Sequence, residues 1–234
     1  MHLPRSESPV YGAFVSQQVF AGPFGPLAHV TGKSLHVTLR HVDRPPAGSA
    51  IGALVFFHGY SGDPTEFVSF LNEIDPERRF HGYLPRAPHP GEGDRTSWFD
   101  RSSADPAEEQ LAPVIEWLEE LPYERERTVF AGFSQGANLA YAVGLGPGYG
   151  RPAGIIAVAG GFRDELPPDL ERPLPPIAIV HGRADESVPV RVARDARDVL
   201  ERAGACVLYR ETEVGHEIDE AVIPDLRAFL AKLP

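Results

Sequence analysis

The sequence predicts an α/β fold built on a mostly parallel central sheet with helices on both faces. Three observations predict it. Apolar, β-branched runs of strand length alternate with amphipathic helical patterns over residues 51–233, the pattern from which right-handed crossovers build a parallel sheet. Two of those runs, residues 51–57 and 177–181, are almost continuously apolar, as strands covered on both faces must be. Finally, Gly132-Phe133-Ser134-Gln135-Gly136 stands between a strand-like run and a segment of small residues and helix formers, which marks a sharp strand-to-helix turn.

The elements follow in order. Alternating patterns at residues 10–20 and 27–40 predict antiparallel strands at one edge, with Thr31-Gly32-Lys33 as a turn. Residues 43–48 read as a Pro-rich connection, and residues 51–57 as a buried strand. A helix is expected at 64–74: Pro64 suits a first turn, and Phe67, Phe70, Leu71 and Ile74 share one face. Tyr83-Leu84-Pro85 is a short strand candidate. Residues 88–103 form a polar, Gly-containing loop that carries Trp98 and Phe99. A second amphipathic helix is expected at 105–121, with Leu111, Val114, Ile115 and Leu118 facing the core. Strands are then expected at 128–133, 155–159, 177–181 and 206–210, separated by helices at 135–145, 188–203 and 218–233. Residues 163–176 are Pro-rich, but apolar strands continue on both sides, so they read as a surface loop.

At 234 residues the chain fits one domain over 1–234 with a full-sized core, and its 42% hydrophobic and 24% charged content is that of a soluble globular protein. No insertion is long enough for a separate lid domain, and residues 1–50 carry no recognisable motif. The formal net charge is −11 with no basic cluster, so there is nothing to neutralise the phosphates of a nucleic acid or to dock on an anionic membrane. Cys206 is the sole cysteine, which excludes an internal disulfide and a Cys-rich metal site; its strand context reads as a small buried hydrophobe. The N-terminal residues lack the apolar core of a signal peptide, and no apolar run reaches membrane-spanning length. A cytoplasmic protein without an integral membrane segment is the expectation. A homodimer is compatible with the sequence but not derivable from it.

The strand–turn–helix at Ser134 has the form of a nucleophile elbow. Residues two before and two after the serine must be small, because strand and helix nearly touch. Unpaired N–H groups at the new helix's start favour an oxyanion beside Ser134. A serine hydroxyl needs a base to take its proton and a carboxylate to hold that base, and these occur downstream in the order Ser, Asp, His. Asp185 lies in the loop after the strand at 177–181. Its competing reading is a cap on the helix near Pro189, and Glu186, one methylene longer, is the rival acid. His216 lies between the last strand and the last helix, with Gly215 before it allowing a tight approach. Phe57-His58-Gly59-Tyr60-Ser61-Gly62-Asp63 directly follows a buried strand, so the backbone N–H groups of Tyr60 and Gln135 are expected to form the oxyanion hole. The Tyr60 side chain either lines the pocket or packs. His58 and His181 each end a strand before glycine and read as structural. No pair of histidines or acids has zinc or calcium spacing, so neither a metal nor a cofactor is expected.

With these motifs in place, residues 51–234 resemble the carboxylesterase/phospholipase family of α/β-hydrolases, which includes bacterial carboxylesterases, lysophospholipases and acyl-protein thioesterases. The resemblance rests on His58-Gly59-Tyr60-Ser61-Gly62-Asp63, Ser97-Trp98-Phe99-Asp100, Gly132-Phe133-Ser134-Gln135-Gly136, His181-Gly182 through Asp185 to Val188-Pro189, and Gly215-His216-Glu217. It implies an α/β-hydrolase fold, catalysis by Ser134, Asp185 and His216, and Trp98 near the acyl pocket, with Phe99 and Tyr60 as further substrate contacts. The activity it implies is a serine esterase acting on small-molecule esters through an acyl-enzyme; the lack of a lid-length insertion predicts an open cleft and hence water-soluble esters of short to medium acyl chains. A thioesterase or lysophospholipase is the alternative, and a non-catalytic scaffold of the same fold the remote one.

Overall fold

The structure, a computed structural model, describes residues 39–91, 93, 95–100, 103–147 and 150–233. The strand expected at 10–20 and all but the end of the one at 27–40 lie outside the described residues. A seven-stranded sheet runs β1 (His41–Arg44), β3 (His81–Pro85), β2 (Ala53–Phe57), β6 (Thr128–Phe133), β7 (Gly154–Val158), β8 (Ile177–Gly182) and β9 (Val207–Thr212) from edge to edge. Only β1 is antiparallel, pairing with β3; every other neighbour is parallel. The antiparallel edge strand seen is a different one, β1, which follows the stretch expected at 27–40 and runs into the Pro-rich connection expected at 43–48.

Alternate residues of the inner strands point to opposite faces, as a pleated strand requires. Val55, Phe57, Phe130, Ile155 and Ile179 face helices α3 (Ala112–Glu119), α4 (Gln135–Leu145) and α5 (Arg191–Arg202). Leu54, Phe56, Val129, Ile156 and Val180 face α1 (Val68–Ile74) and α6 (Ile223–Ala231). Both faces are thus covered, which is why these strands are apolar throughout.

Prolines account for most differences at element boundaries. The helix expected at 105–121 is two pieces, α2 (Ala107–Gln110) and α3, because Pro113 supplies no N–H to continue the ladder. The last helix opens with a 3-10 turn, Glu220–Val222, before α6, which carries Pro224 in its first turn. Residues 64–67 likewise form a 3-10 turn, held by a capping box between Asp63 and Glu66. The loop at 88–103 contains a small hairpin, β4 (His89–Pro90) with β5 (Thr96–Ser97). Cys206 is exposed rather than buried, because it precedes β9 at the sheet's edge, where no further strand among the described residues covers it.

The edge strand is anchored by a buried ion pair. Arg44 donates to the Asp75 carboxylate at 3.1 Å, and the same carboxylate accepts the N–H groups of Arg79 and Phe80 at 3.0 and 3.2 Å. Removing the charge from one partner leaves the other buried and uncompensated. Asp75→Asn is expected to lower the unfolding free energy by about 3 kcal/mol in urea titrations.

Candidate active site

Strand order reverses at β2, which has β3 on one side and β6 on the other. In open α/β sheets, ligands bind in the crevice at the carboxyl ends of the strands beside such a reversal. Here β2 runs into His58-Gly59-Tyr60 and β6 into Ser134, while Asp185 follows β8 and His216 follows β9. Sheet topology alone therefore collects the four candidate loops at one edge.

Ser134 occupies the strand-to-helix turn at φ 54°, ψ −118°, a conformation that costs a non-glycine residue about 1–3 kcal/mol. The surroundings impose it. Its N–H donates to the Val158 carbonyl at 2.8 Å, and its own carbonyl accepts from Ala137 and Asn138. A Cβ at Gly132 would lie 2.2 Å from the Gly136 carbonyl oxygen, and one at Gly136 would lie 1.9 Å from that of Phe57. No larger residue fits either position.

The predicted side chains converge. The Ser134 hydroxyl donates to His216 Nε2 at 2.9 Å, and His216 Nδ1–H donates to Asp185 Oδ2 at 2.6 Å. The other carboxylate oxygen, Oδ1, accepts the N–H groups of Ser187 and Val188 at 2.9 and 2.8 Å. Burial pushes the Asp185 carboxyl up, but the Val188 N–H, the His216 imidazole and the Ser187 N–H together outweigh it. The group is held below the ordinary carboxylate value and stays ionised opposite the imidazole. Asp185 does not cap the helix near Pro189: α5 begins at Arg191 with Val190 as N-cap and no side-chain cap bond, and the Ser187 and Val188 bonds hold Asp185 to its own loop. Glu186 is exposed. The close approach expected of the histidine loop exists, but the glycine that permits it is Gly182. A Cβ there would lie 2.3 Å from the carbonyl oxygens of Val214 and Gly215, whereas one at Gly215 would meet the Ala184 carbonyl oxygen at an ordinary 3.8 Å.

His181 is fully buried; its Nε2–H donates to the Val188 carbonyl at 2.8 Å and lies 3.3 Å from Asp185 Oδ2. His58 donates through Nδ1 to the Gly59 carbonyl at 2.7 Å and accepts the Ala87 N–H at Nε2, so burial keeps it neutral with a lowered pKa. The Phe133 ring lies 4.8 Å from the His216 ring, a contact that sequence reasoning did not anticipate.

Gln135 is the first residue of α4, so its N–H has no acceptor in a preceding turn. Gly59 abuts the serine: a Cβ there would be 3.5 Å from Ser134 Cβ, which brings the following residue, Tyr60, to the side of Ser134. Tyr60 is 40% exposed and lines a cavity of about 490 Å³ together with Phe67, Phe133, Asp63, Arg86 and Arg95. The two arginines escaped sequence reasoning, because nothing in the hairpin sequence says which way it folds.

Trp98 and Phe99 depart from expectation. They are 0% and 3% exposed, and neither lines this cavity. The indole N–H of Trp98 donates to the His58 carbonyl at 2.7 Å while its ring packs on Phe57 and His58, and the Arg163 guanidinium covers Phe99 at 4.2 Å. Among the described residues, no cluster of three or more His, Cys, Asp or Glu is placed to hold a metal ion, and no helix is long and apolar enough to cross a membrane.

The family model described as phospholipase/carboxylesterase matches residues 44–234. The chain belongs to the phospholipase/carboxylesterase family. Solved structures place the α/β-hydrolase fold beyond the family match. Esterase PE8 aligns at 24% identity and TM-score 0.70, over 84% of this chain and 100% of its own. A carboxylesterase from Bacillus cereus aligns at 19% identity and TM-score 0.71, over 83% and 94%. Acyl-protein thioesterase 2 from Zea mays aligns at 21% and 0.66, over 82% and 97%. Membership of the phospholipase/carboxylesterase family supports an ester- or thioester-hydrolase activity.

Strands β8 and β9, which lead to the acid and histidine loops, are tied together by Glu211. Its carboxylate accepts from Arg194 at 2.7 Å through two nitrogens, from Arg183 at 2.8 Å and from the Tyr209 hydroxyl at 2.7 Å. The Arg194 bonds above all hold its pKa far below the ordinary glutamate value. A depressed carboxylate stabilises the fold above its unfolded pKa, and that stabilisation disappears as pH falls towards the folded one. Glu211→Gln is expected to lower the urea midpoint at neutral pH. The gap from the parent should stay constant down to about pH 5 and shrink below the ordinary glutamate value of about 4.3; unfolding at stepped pH reads this directly.

Proposed function

We propose that the protein is a serine esterase that cleaves small carboxylic esters of short to medium acyl chains through an acyl-enzyme. The observation that carries the proposal is the continuous hydrogen-bonded path from Ser134 Oγ through His216 to Asp185, with links of 2.9 and 2.6 Å. His216 Nε2 removes the hydroxyl proton as Oγ attacks the ester carbonyl. Asp185 fixes the Nδ1–H tautomer and stabilises the imidazolium. The backbone N–H groups of Tyr60 and Gln135 receive the oxyanion, and such a donor typically lowers the barrier by about 3 kcal/mol. The tetrahedral intermediate collapses and the C–O bond to the alcohol breaks. The alcohol leaves with the proton held at His216 Nε2, and a water molecule then repeats the sequence on the acyl-enzyme.

The chain-length preference rests on the adjoining cavity. Tyr60, Phe67 and Phe133 offer apolar surface, but Asp63, Glu66, Arg86 and Arg95 share the walls. A long alkyl chain would desolvate those charges without satisfying them. Thioester cleavage is the second reading, favoured by the likeness of fold to the maize acyl-protein thioesterase, since the same relay serves either leaving group. We also place the protein in the cytoplasm, where the exposed thiol of Cys206 would remain reduced.

Ser134→Ala is expected to abolish hydrolysis of p-nitrophenyl butyrate and labelling by a fluorophosphonate, with the thermal midpoint preserved. Turnover by that variant at the parent rate would defeat the proposal, and absence of labelling in the parent would support a non-catalytic scaffold. Across p-nitrophenyl esters of graded length, kcat/KM is expected to peak at short to medium acyl chains and to fall for palmitate. A steady rise towards long chains would contradict the preference, and a thioester series of matching acyl groups discriminates the second reading.

A further inference from the structure

We propose that Trp98, joined to the side chain of Gln135, is a positioning residue that sets the separation of the two oxyanion donors. The inference rests on the serine-esterase reading above. Those donors belong to different loops, one after β2 and one after β6, which meet where Gly136 packs on the Phe57 carbonyl, so their mutual distance depends on contacts between the loops. Stabilisation of an oxyanion depends on both standing within hydrogen-bond reach of one point.

The segment Thr96–Trp98 touches both loops. On the β2 side, its Thr96 carbonyl accepts the Ser61 N–H at 3.0 Å, and Trp98 Nε1–H donates to the His58 carbonyl at 2.7 Å. These two bonds bracket Tyr60. Within the loop, the Gly59 carbonyl is held by His58 Nδ1–H at 2.7 Å and by the Gly62 N–H at 3.1 Å, so the bracketed turn moves as one piece. On the β6 side, Trp98 N–H donates to Gln135 Oε1 at 3.0 Å and Gln135 Nε2 donates to Ser97 Oγ at 2.9 Å. The Ser97 hydroxyl donates in turn to the Phe99 carbonyl at 2.7 Å. The residue whose backbone N–H is one donor thus grips, through its side chain, the segment that holds the other.

The side chains that join the two loops into this splint are buried: His58, Ser97, Trp98 and Gln135 all belong to the interior. Trp98 has no surface with which to touch a substrate, so it acts only through the loops it joins. Its ring stands edge-on to Phe57 at 5.3 Å, contact that a phenyl ring largely preserves while removing the N–H. The Gln135 amide accounts for an otherwise arbitrary choice at the second variable position of the elbow.

Trp98→Phe removes one bond of the splint, and Gln135→Met removes the amide bonds while retaining the Gln135 backbone donor. For either variant, kcat on p-nitrophenyl butyrate is expected to fall about tenfold with KM nearly unchanged, since only the transition state uses the hole. Inhibition by a trifluoromethyl ketone, whose serine adduct bears an oxyanion, should weaken by the same factor. Inhibition by the matching secondary alcohol, which forms no adduct, should not change. Thermal midpoints identify a variant that fails to fold, in which case the other carries the test. Parent-like kcat and ketone affinity in a folded variant would overturn the inference, as would a fall in kcat without a matching loss of ketone affinity. A parent enzyme whose turnover survives Ser134→Ala would instead overturn the serine-esterase reading.

Discussion

The site depends on how closely the start of α4 is pressed against the end of β2. Gly136 leaves no room for a side chain between itself and the Phe57 carbonyl, and Gly132 none between itself and Gly136. That contact forces the backbone at Ser134 into a region L-residues rarely occupy, and the turn raises the hydroxyl above the sheet edge. It also brings the loop after β2 beside the serine, so Ser134 and the proposed oxyanion loop are placed by one packing constraint. Parallel strands and their crossovers do the remainder, delivering the acid and histidine loops to the same edge.

Electrostatics complete what packing begins. Asp185 is nearly removed from water, which alone would favour its neutral form; two backbone N–H groups and an imidazole reverse that outcome. The order of effects matters. Because the carboxylate is already solvated by fixed donors, holding the imidazole requires no rearrangement when positive charge develops on it. His181 supports the same loop from below through Val188.

Much of this was legible in the sequence because it depends on short-range pattern. The elbow, the order of serine, acid and histidine, and the parallel core all show as local residue types in fixed order, and strand 128–133 and helix 135–145 have the expected bounds. What was hidden depends on distant contacts. Nothing in the Ser-Trp-Phe-Asp run tells that the Trp98 indole points inward to His58, 40 residues upstream, rather than towards a substrate. Pro113 did announce an interruption, but a helical stripe of leucines and valine conceals it. The burial of a cysteine likewise depends on whether its strand is central or at the edge, and that is a property of the sheet, not of the strand.

Phe133 carries a last consequence. It occupies the first variable position of the elbow, and its ring rests against the imidazole of His216 while also forming part of the cavity wall. Trimming that ring would enlarge the cavity and at the same time withdraw the surface that packs on the imidazole, with Phe67 packed behind it. Cavity volume and the seating of the imidazole are therefore coupled at this position.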